Sequence, residues 1–215
     1  MENNETYRCP VCSSKNTSFF AKGENRLYIR CAVCDLVFVP ERFFVSAKEE
    51  KAKYDHHQNS IENRGYVDFL NRLLLPLQMR LKPNAKGLDF GSGPGPTLHL
   101  LMRQAGYEMD IYDIFYHHDP TIFHKTYDFI TMTEVIEHLH HPMRELERLW
   151  KMLQPDGYLG IMTAFRPEIF EGWYYKRDKT HIRFFTEKTF TYIAQTLDAK
   201  LDIVDKGVIL LQKSV

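Results

Sequence analysis

The chain has 215 residues, of which 44% are hydrophobic and 13% aromatic, enough for one α/β core and a small additional module. Its 28 basic and 28 acidic side chains give a formal net charge of zero, so overall charge does not indicate binding to nucleic acid or to an anionic membrane. No apolar stretch approaches the roughly 20 residues that span a bilayer, and the first residues are polar and unlike a signal sequence. We therefore expect a cytoplasmic protein that does not enter a membrane.

The four cysteines all lie near the start of the chain, as two Cys-x-x-Cys pairs: Cys9 with Cys12, and Cys31 with Cys34. Two such turns brought together by a hairpin supply the four thiolates of a tetrahedral zinc site. In a reducing compartment, clustered thiols hold a metal more often than they form disulfides. We expect one closed, structural Zn²⁺ that leaves no coordination position open for catalysis.

Three units are predicted along the chain. Residues 1–45 should form a zinc ribbon, because short β-type runs flank the cysteine pairs and the metal would replace a core that so small a module lacks. Residues 46–82 should form a helical connector, since apolar residues recur at helical spacing up to residue 81, with a kink or break near Pro76. Residues 83–215 form the largest unit.

Within this unit, predicted strands alternate with predicted helices. The strand candidates before the last helix are residues 87–90, 108–113, 127–132 and 158–163. Residues 201–204 and 208–211 predict a terminal hairpin. The alternation predicts an α/β fold with a doubly wound, mostly parallel sheet that ends in an antiparallel hairpin. Residues 114–126 are too few for a full helix, a strand and their loops, so a third strand should be missing or vestigial.

A glycine-rich turn occupies residues 88–95 (LDFGSGPG), between a predicted strand and a predicted helix. Glycines let the backbone approach a ligand closely, and a helix start presents free N–H donors. A tight structural turn is the alternative, although one glycine would serve it. Asp113, about twenty residues farther on, is placed to accept hydrogen bonds from both hydroxyls of a ribose, and Asp110 competes for this role. An oxidoreductase is disfavoured because the usual GxGxxG spacing is absent.

Four motifs in order resemble the class I S-adenosylmethionine-dependent methyltransferases. They are the glycine-rich turn, the pair Tyr112-Asp113, residues 127–138 (YDFITMTEVIEH) and residues 153–160 (LQPDGYLG). The resemblance extends from about residue 86 to the C-terminus and implies a Rossmann-like fold with S-adenosylmethionine as cofactor. Asp156 departs from the pattern, since that position is often glycine in the family.

The resemblance also implies roles for individual residues. Asp113 would bind the ribose hydroxyls, and Ile114 would lie against the adenine face. Thr133 and Glu134, after the fourth strand of the family fold, would line the mouth shared by cofactor and substrate. Contacts to the methionyl end and ribose would come from Asp89, Gly91, Gly93 and Gly95. Without a third strand, no residue is clearly placed to recognise the adenine amino group.

Methyl transfer from a sulfonium is an in-line displacement, which needs a base only if the acceptor must lose a proton. We predict His181 as the best candidate base, because it lies in an aromatic-rich segment after the last parallel strand, where such sheets expose ligand loops. His138 is a second candidate, expected to share a helix face with Glu134, and an ordinary surface or turn role stays open for it. A metal site built from His138, His140 and His141 lacks a fourth ligand in the sequence.

The sequence therefore predicts a methyltransferase that acts on a small-molecule acceptor, with the zinc ribbon stabilising the fold or covering the substrate. One alternative is a ribosomal RNA methyltransferase, since some of these carry N-terminal zinc modules. RNA is not excluded, although the zero net charge disfavours it, and salt-sensitive RNA binding would support it. A second alternative is a non-catalytic adaptor whose methyltransferase-like domain only folds. Neither the acceptor nor the oligomeric state follows from the sequence.

Overall fold

A computed structural model describes residues 6–56 and 59–214 of the chain. The polar residues 1–5, on which part of the cytoplasmic prediction depends, lie outside these ranges. Within the ranges, no helix combines the length and the apolar character that crossing a bilayer requires.

Ten strands and five α-helices form the regular structure of the described residues, together with short 3₁₀ turns. The strands are β1 (Thr17–Lys22), β2 (Leu27–Cys31), β3 (Val37–Phe38), β4 (Lys86–Phe90), β5 (Glu108–Tyr112), β6 (Tyr127–Thr133), β7 (Leu153–Met162), β8 (Arg183–Phe184), β9 (Ala199–Asp205) and β10 (Val208–Lys213). The helices are α1 (Ala47–Tyr54), α2 (Arg64–Gln78), α3 (Thr97–Gln104), α4 (Pro142–Met152) and α5 (Glu187–Leu197). Every strand predicted after residue 83 is present, and β7 begins at Leu153 rather than at Tyr158.

The central sheet has six strands in the order β5-β4-β6-β7-β10-β9. The first four run parallel, and β10 pairs antiparallel with both β7 and β9. This confirms the predicted α/β, Rossmann-like fold with its C-terminal antiparallel hairpin. Because the strand order reverses between β4 and β6, the loops that follow these strands diverge and open a crevice at the carboxyl edge of the sheet.

The region between β5 and β6 contains no further strand among the described residues. Asp113 forms an isolated bridge with His117, and a 3₁₀ turn follows at Pro120–His124. The side chain of Asp119 caps this turn by accepting a hydrogen bond from the Thr121 N–H at 2.9 Å. The expected loss of a third strand is therefore confirmed, and β5 is the edge of the sheet.

Helix α2 covers the sheet next to β7 and β10. Its buried stripe consists of Leu70, Leu73, Leu74 and Leu77. The helix continues through Pro76 to Gln78, so the predicted break does not occur there. Proline lacks the N–H that would bond to the carbonyl oxygen of Arg72, and the helix continues for two residues beyond it despite this loss.

A second sheet, in the order β1-β2-β3-β8, joins the N-terminal ribbon to the C-terminal part of the chain. In it, Val37 pairs with Phe184, and both side chains are buried with Tyr28 and Phe170. The ribbon therefore shares a sheet and a small core with the segment that follows β7. The division into residues 1–45, 46–82 and 83–215 stays a proposal about folding units.

Candidate active site

The glycine-rich turn links β4 to α3 at the carboxyl edge of the central sheet. Gly91 and Gly93 have φ angles of +80° and +64°, in the left-handed region that favours glycine. A Cβ on Gly91 would lie 2.4 Å from Cγ2 of Val135, and a Cβ on Gly95 would lie 2.6 Å from the carbonyl oxygen of Asn59. Close packing within the protein thus requires glycine at positions 91 and 95, independently of any ligand.

Asp113 fixes this turn against the end of β5. Its Oδ2 accepts a hydrogen bond from the Gly93 N–H at 2.9 Å, and its Oδ1 accepts from two backbone N–H groups of the following turn at 2.8 and 3.2 Å. Asp110, the competing residue, instead accepts from the Lys125 ammonium at 2.8 Å and the Tyr127 hydroxyl at 2.7 Å. The geometry therefore favours Asp113 over Asp110 at the glycine-rich turn.

A cavity of about 920 Å³ lies along the turn and the crevice between β4 and β6. Every residue predicted to bind cofactor or to act in catalysis lines it: Asp89, Gly91, Gly93, Gly95, Asp113, Ile114, Thr133, Glu134, His138 and His181. Side chains from α1 and from the loop before α2, including Tyr54 and Asn59, close its other side. The fold thus brings residues from distant parts of the sequence to one site.

Asp89 lies at the sheet end of this cavity and is 4% exposed. Its Oδ1 accepts a hydrogen bond from the Thr131 hydroxyl at 3.0 Å. Burial raises the pKa of Asp89 to about 7, and the nearby charge of Asp113 adds to the shift. A proton or a cationic ligand would therefore stabilise this carboxyl group.

Glu134, the residue directly after β6, has an unusual backbone conformation. Its φ is +53°, a conformation that costs a non-glycine residue roughly 1–2 kcal/mol, and such strain clusters at functional sites. A short 3₁₀ turn at Ile136–His138 follows, and helix α4 begins only at Pro142. The expectation that Glu134 and His138 share a helix face is therefore wrong, because the left-handed residue stops the strand without starting an α-helix.

Two acidic side chains meet behind this turn. The Tyr175 hydroxyl donates a hydrogen bond to Glu137 Oε1 and lies 3.0 Å from Glu134 Oε2. Glu137 is fully buried, and its Oε2 accepts from the Thr163 hydroxyl at 3.0 Å. Burial raises the pKa of Glu134 to about 7 and also raises the pKa of Glu137, to which the Glu134 charge contributes. Sequence reasoning missed Glu137 and Tyr175, although Glu137 stands in the motif after β6.

His138 and His181 adjoin this acidic pair, with their ring centroids 4.7 Å apart. His138 Nδ1 lies 3.1 Å from the Thr180 carbonyl oxygen, and His181 Nδ1 lies 2.7 Å from the Tyr175 carbonyl oxygen. A carbonyl can only accept, so each Nδ1 carries a proton and each neutral ring has its lone pair on Nε2. Burial lowers the pKa of His181, which favours this neutral form.

The four cysteines converge at the tip of the ribbon and form no disulfide. The Cys9 and Cys34 sulfurs lie 3.5 Å apart, the Cys12 and Cys31 sulfurs lie 3.3 Å apart, and all four lie within 4.8 Å of one another. A tetrahedral zinc with bonds of about 2.3 Å places its sulfurs roughly 3.8 Å apart. The predicted cysteine cluster is therefore present, with a geometry that suits zinc.

Arg26 connects the ribbon to the loop that carries His181. Its guanidinium is largely buried and donates hydrogen bonds to the carbonyl oxygens of Lys176, Asp178, Lys179 and His181, at 2.5 to 3.0 Å. The partners lie 150 to 155 positions farther along the chain, so the local sequence gives no sign of this contact. The ribbon thus holds one wall of the cavity.

Known proteins are similar to parts of this chain in sequence or in structure. A segment of 44 residues, 20% of the chain, is 41% identical to a demethylmenaquinone methyltransferase from Protochlamydia amoebophila (strain UWE25), and it spans only 18% of that relative's length. A 1,6-didemethyltoxoflavin-N1-methyltransferase structure from Burkholderia thailandensis is 16% identical, with a TM-score of 0.51 over 92% of this chain and 99% of that one. The plantazolicin methyltransferase BpumL is 14% identical, with a TM-score of 0.51 over 78% of this chain and 90% of that one.

At such low identity, the two structures show a shared fold alone. The family model described as a methyltransferase domain matches residues 54–202, well over half of the chain. That region contains the glycine-rich turn, Asp113 and both candidate histidines. The chain therefore belongs to the methyltransferase domain family, as the sequence motifs predicted.

Proposed function

We propose that the protein transfers a methyl group from S-adenosylmethionine to a small-molecule acceptor. The observation that carries this proposal is the cavity of about 920 Å³ that adjoins both the glycine-rich turn and the histidine pair. Ligand pockets of about 300–1,000 Å³ enclose small molecules, so this one has room for a cofactor and a compact acceptor. The two structural relatives support this choice, since each is named with a small-molecule substrate or substrate analogue and S-adenosylhomocysteine bound.

The cofactor would lie along the carboxyl ends of β4 and β5. The methionyl end and ribose would contact Asp89 and the backbone of the glycine-rich turn, Gly91, Gly93 and Gly95, with the buried Asp89 carboxylate favouring the cationic end of the cofactor. Asp113 would accept from a ribose hydroxyl, since three backbone N–H groups use three of the roughly four lone-pair positions of its carboxylate. Ile114 is 66% exposed, so its apolar surface is available to cover adenine.

The acceptor would occupy the opposite part of the cavity. Thr133 and Glu134 also line the cavity, and they would border the path of the methyl group. His181 and His138 would face the acceptor, and the Nε2 lone pair of His181 is suited to receive a proton from it. Enclosure by the aromatic loop around Tyr175 would exclude water from the displacement.

The four cysteines would hold one structural Zn²⁺. Their sulfur separations suit tetrahedral coordination, and four thiolates leave no position open for a substrate. The metal would stabilise the ribbon and, through Arg26, the loop that carries His181. Its role is therefore structural support of the acceptor side of the cavity.

Calorimetric titration with S-adenosylmethionine and S-adenosylhomocysteine tests the proposal. We expect both to bind the wild-type protein, and we expect Asp113→Ala to weaken binding at least tenfold because it also releases the glycine-rich turn. Asp110→Ala is the matched control and should keep the wild-type affinity, since Asp110 lies outside the cavity lining. Absence of binding to the wild-type protein would contradict the enzyme proposal and support an adaptor.

A further inference from the structure

A second cluster of metal-ligating side chains lies at the acceptor end of the cavity. Glu137, His138 and His181 each offer one ligand atom, and these atoms lie within 4.8 Å of one another. Ligands bonded at about 2.0–2.2 Å to one ion lie roughly 3 to 4.4 Å apart. A small contraction would therefore bring all three groups onto a single cation.

Glu134 provides a further oxygen beside this cluster. Its Oε2 lies 3.0 Å from the Tyr175 hydroxyl, which is also hydrogen bonded to Glu137. Among the residues that the structure describes, no lysine or arginine forms an ion pair with either carboxyl group within 4.0 Å, and Arg72 acts on Glu134 only from a greater distance. Two carboxylates in so buried a place need either protons or a cation for compensation.

The histidines are oriented as metal ligands usually are. A ligating imidazole commonly donates its other N–H to a backbone carbonyl or a carboxylate, which fixes the ring and its tautomer. The Nδ1 groups of His138 and His181 make this contact with the Thr180 and Tyr175 carbonyl oxygens. His138 Nε2 lies 4.0 Å from Glu137 Oε1, so its lone pair faces the cluster.

We propose that Glu137, His138 and His181, with Glu134 as a fourth ligand, bind a divalent metal ion in the acceptor part of the cavity. Two imidazole nitrogens and two carboxylate oxygens suit a borderline first-row ion such as Mn²⁺, Fe²⁺ or Zn²⁺. Of the three neighbouring histidines His138, His140 and His141, only His138 belongs to this site. Its partners come from two glutamates and from His181. The four-cysteine site differs in donor type, because thiolates select softer metals.

This metal site deepens the proposed function, and its effect on the acceptor rests on that function. A metal ion at this place favours an acceptor that binds through a hydroxyl oxygen, because coordination lowers the pKa of the hydroxyl. The hydroxyl proton would pass to solvent as the acceptor binds to the ion, before the displacement, and the oxygen would then form the new bond to the methyl carbon. The electron pair of the broken sulfur–methyl bond would return to sulfur, leaving S-adenosylhomocysteine. His181 would then serve as a ligand rather than as the base.

Electron paramagnetic resonance of Mn²⁺ tests the site without an acceptor. We expect the zinc-loaded wild-type protein to reduce the six-line signal of free Mn²⁺ with one ion bound per chain. Glu137→Gln keeps the size of the buried side chain and one acceptor oxygen but removes the ligating charge, so it should weaken Mn²⁺ binding at least tenfold. His181→Ala should do the same, while the exposed control His124→Ala should bind Mn²⁺ like the wild type.

The outcome separates this inference from the proposed function. If the wild type takes up neither Mn²⁺ nor a second equivalent of Zn²⁺, the metal site is wrong, even when S-adenosylhomocysteine binds in calorimetry. If Mn²⁺ binds and S-adenosylhomocysteine does not, the site stands and the proposed function fails. Equal Mn²⁺ affinity of the wild type and a correctly folded Glu137→Gln variant, judged by circular dichroism, would also overturn the assignment.

Discussion

The guanidinium of Arg26 donates a hydrogen bond to the carbonyl oxygen of His181 at 3.0 Å, which ties the cysteine-rich ribbon to a loop that lines the cavity. The same guanidinium binds three more carbonyl oxygens of that loop. This buried side chain thus adds to the pairing of β3 with β8 in holding the ribbon against the loop.

Arg26→Ala should loosen this loop more than it affects the cofactor region. Four hydrogen bonds from the charged guanidinium are lost, each worth about 1.5–3 kcal/mol when counted singly. Contributions of bonds to one group do not add fully, so we expect the free energy of unfolding to fall by at least about 3 kcal/mol. Hydrogen exchange should rise in residues 174–181, whereas S-adenosylhomocysteine affinity should change less than tenfold. The control Arg30→Ala removes an exposed pair with Asp35 and should cost under about 1 kcal/mol. Equal exchange in both variants would contradict the role of Arg26.

Removal of zinc should loosen the ribbon and, through Arg26, the loop that carries His181. The contacts of Asp113 with the glycine-rich turn involve no ribbon residue, so cofactor binding should persist. Hydrogen exchange with and without a strong chelator would measure the first effect, and calorimetry with S-adenosylhomocysteine would measure the second. Complete loss of cofactor binding on chelation would show that the ribbon is part of the cofactor site.

Gly91→Ala should destabilise the protein for a local steric reason. The new Cβ would lie 2.4 Å from Val135, at a φ of +80° that alanine disfavours, so we expect a loss of about 2–4 kcal/mol. Gly106→Ala is the matched control, because it shares a positive φ but its new Cβ would meet no atom within 4 Å; it should cost only about 1 kcal/mol. Urea unfolding of both variants measures the difference. Partial rescue of Gly91→Ala by Val135→Ala would identify the clash as its main cause.

The buried Asp89 should make stability depend on pH. Its pKa is about 7 in the folded protein against an ordinary value of 3.8, so the folded state binds the proton more tightly than the unfolded state. The stabilising contribution of this group is present below pH 4 and is lost as pH rises through about 7. Asp89→Asn has no such proton and should gain stability relative to the wild type between pH 4 and pH 8. Urea unfolding at several pH values would measure this, and parallel profiles would contradict it.

Much of the fold follows from short-range patterns in the sequence. Short apolar runs predict the inner strands of the central sheet, such as β4 and β6, because these strands are buried on both faces. Thr186 predicts the start of α5, where its side chain accepts from the Thr189 N–H. The Cys-x-x-Cys pairs and the glycine-rich turn are equally local, since a few neighbouring residues suffice for their geometry.

Other features depend on contacts between residues far apart in the chain. Glu134 was expected on a helix with His138, but a left-handed backbone at the end of β6 separates them. Glu137 is three positions from Glu134, yet only the fold shows that its carboxyl group is buried against Tyr175 and Thr163. Sequence spacing carries no information about such partners, because the loop after β7 is free to return to the sheet in many ways.

The sequence by itself thus determined the two Cys-x-x-Cys pairs, the glycine-rich turn and the order of strands and helices, because each depends on residues within a few positions of one another. The meeting of Cys9 with Cys34 and of Gly93 with Asp113 joins residues 25 and 20 positions apart, and the motif spacing predicted these contacts only as part of a pattern. Only the tertiary structure decided that β3 pairs with β8, that Arg26 binds the His181 loop, and that the residues of this loop meet Glu137. These contacts join distant segments, so they are formed by packing and hydrogen bonding of the whole fold rather than by local preference.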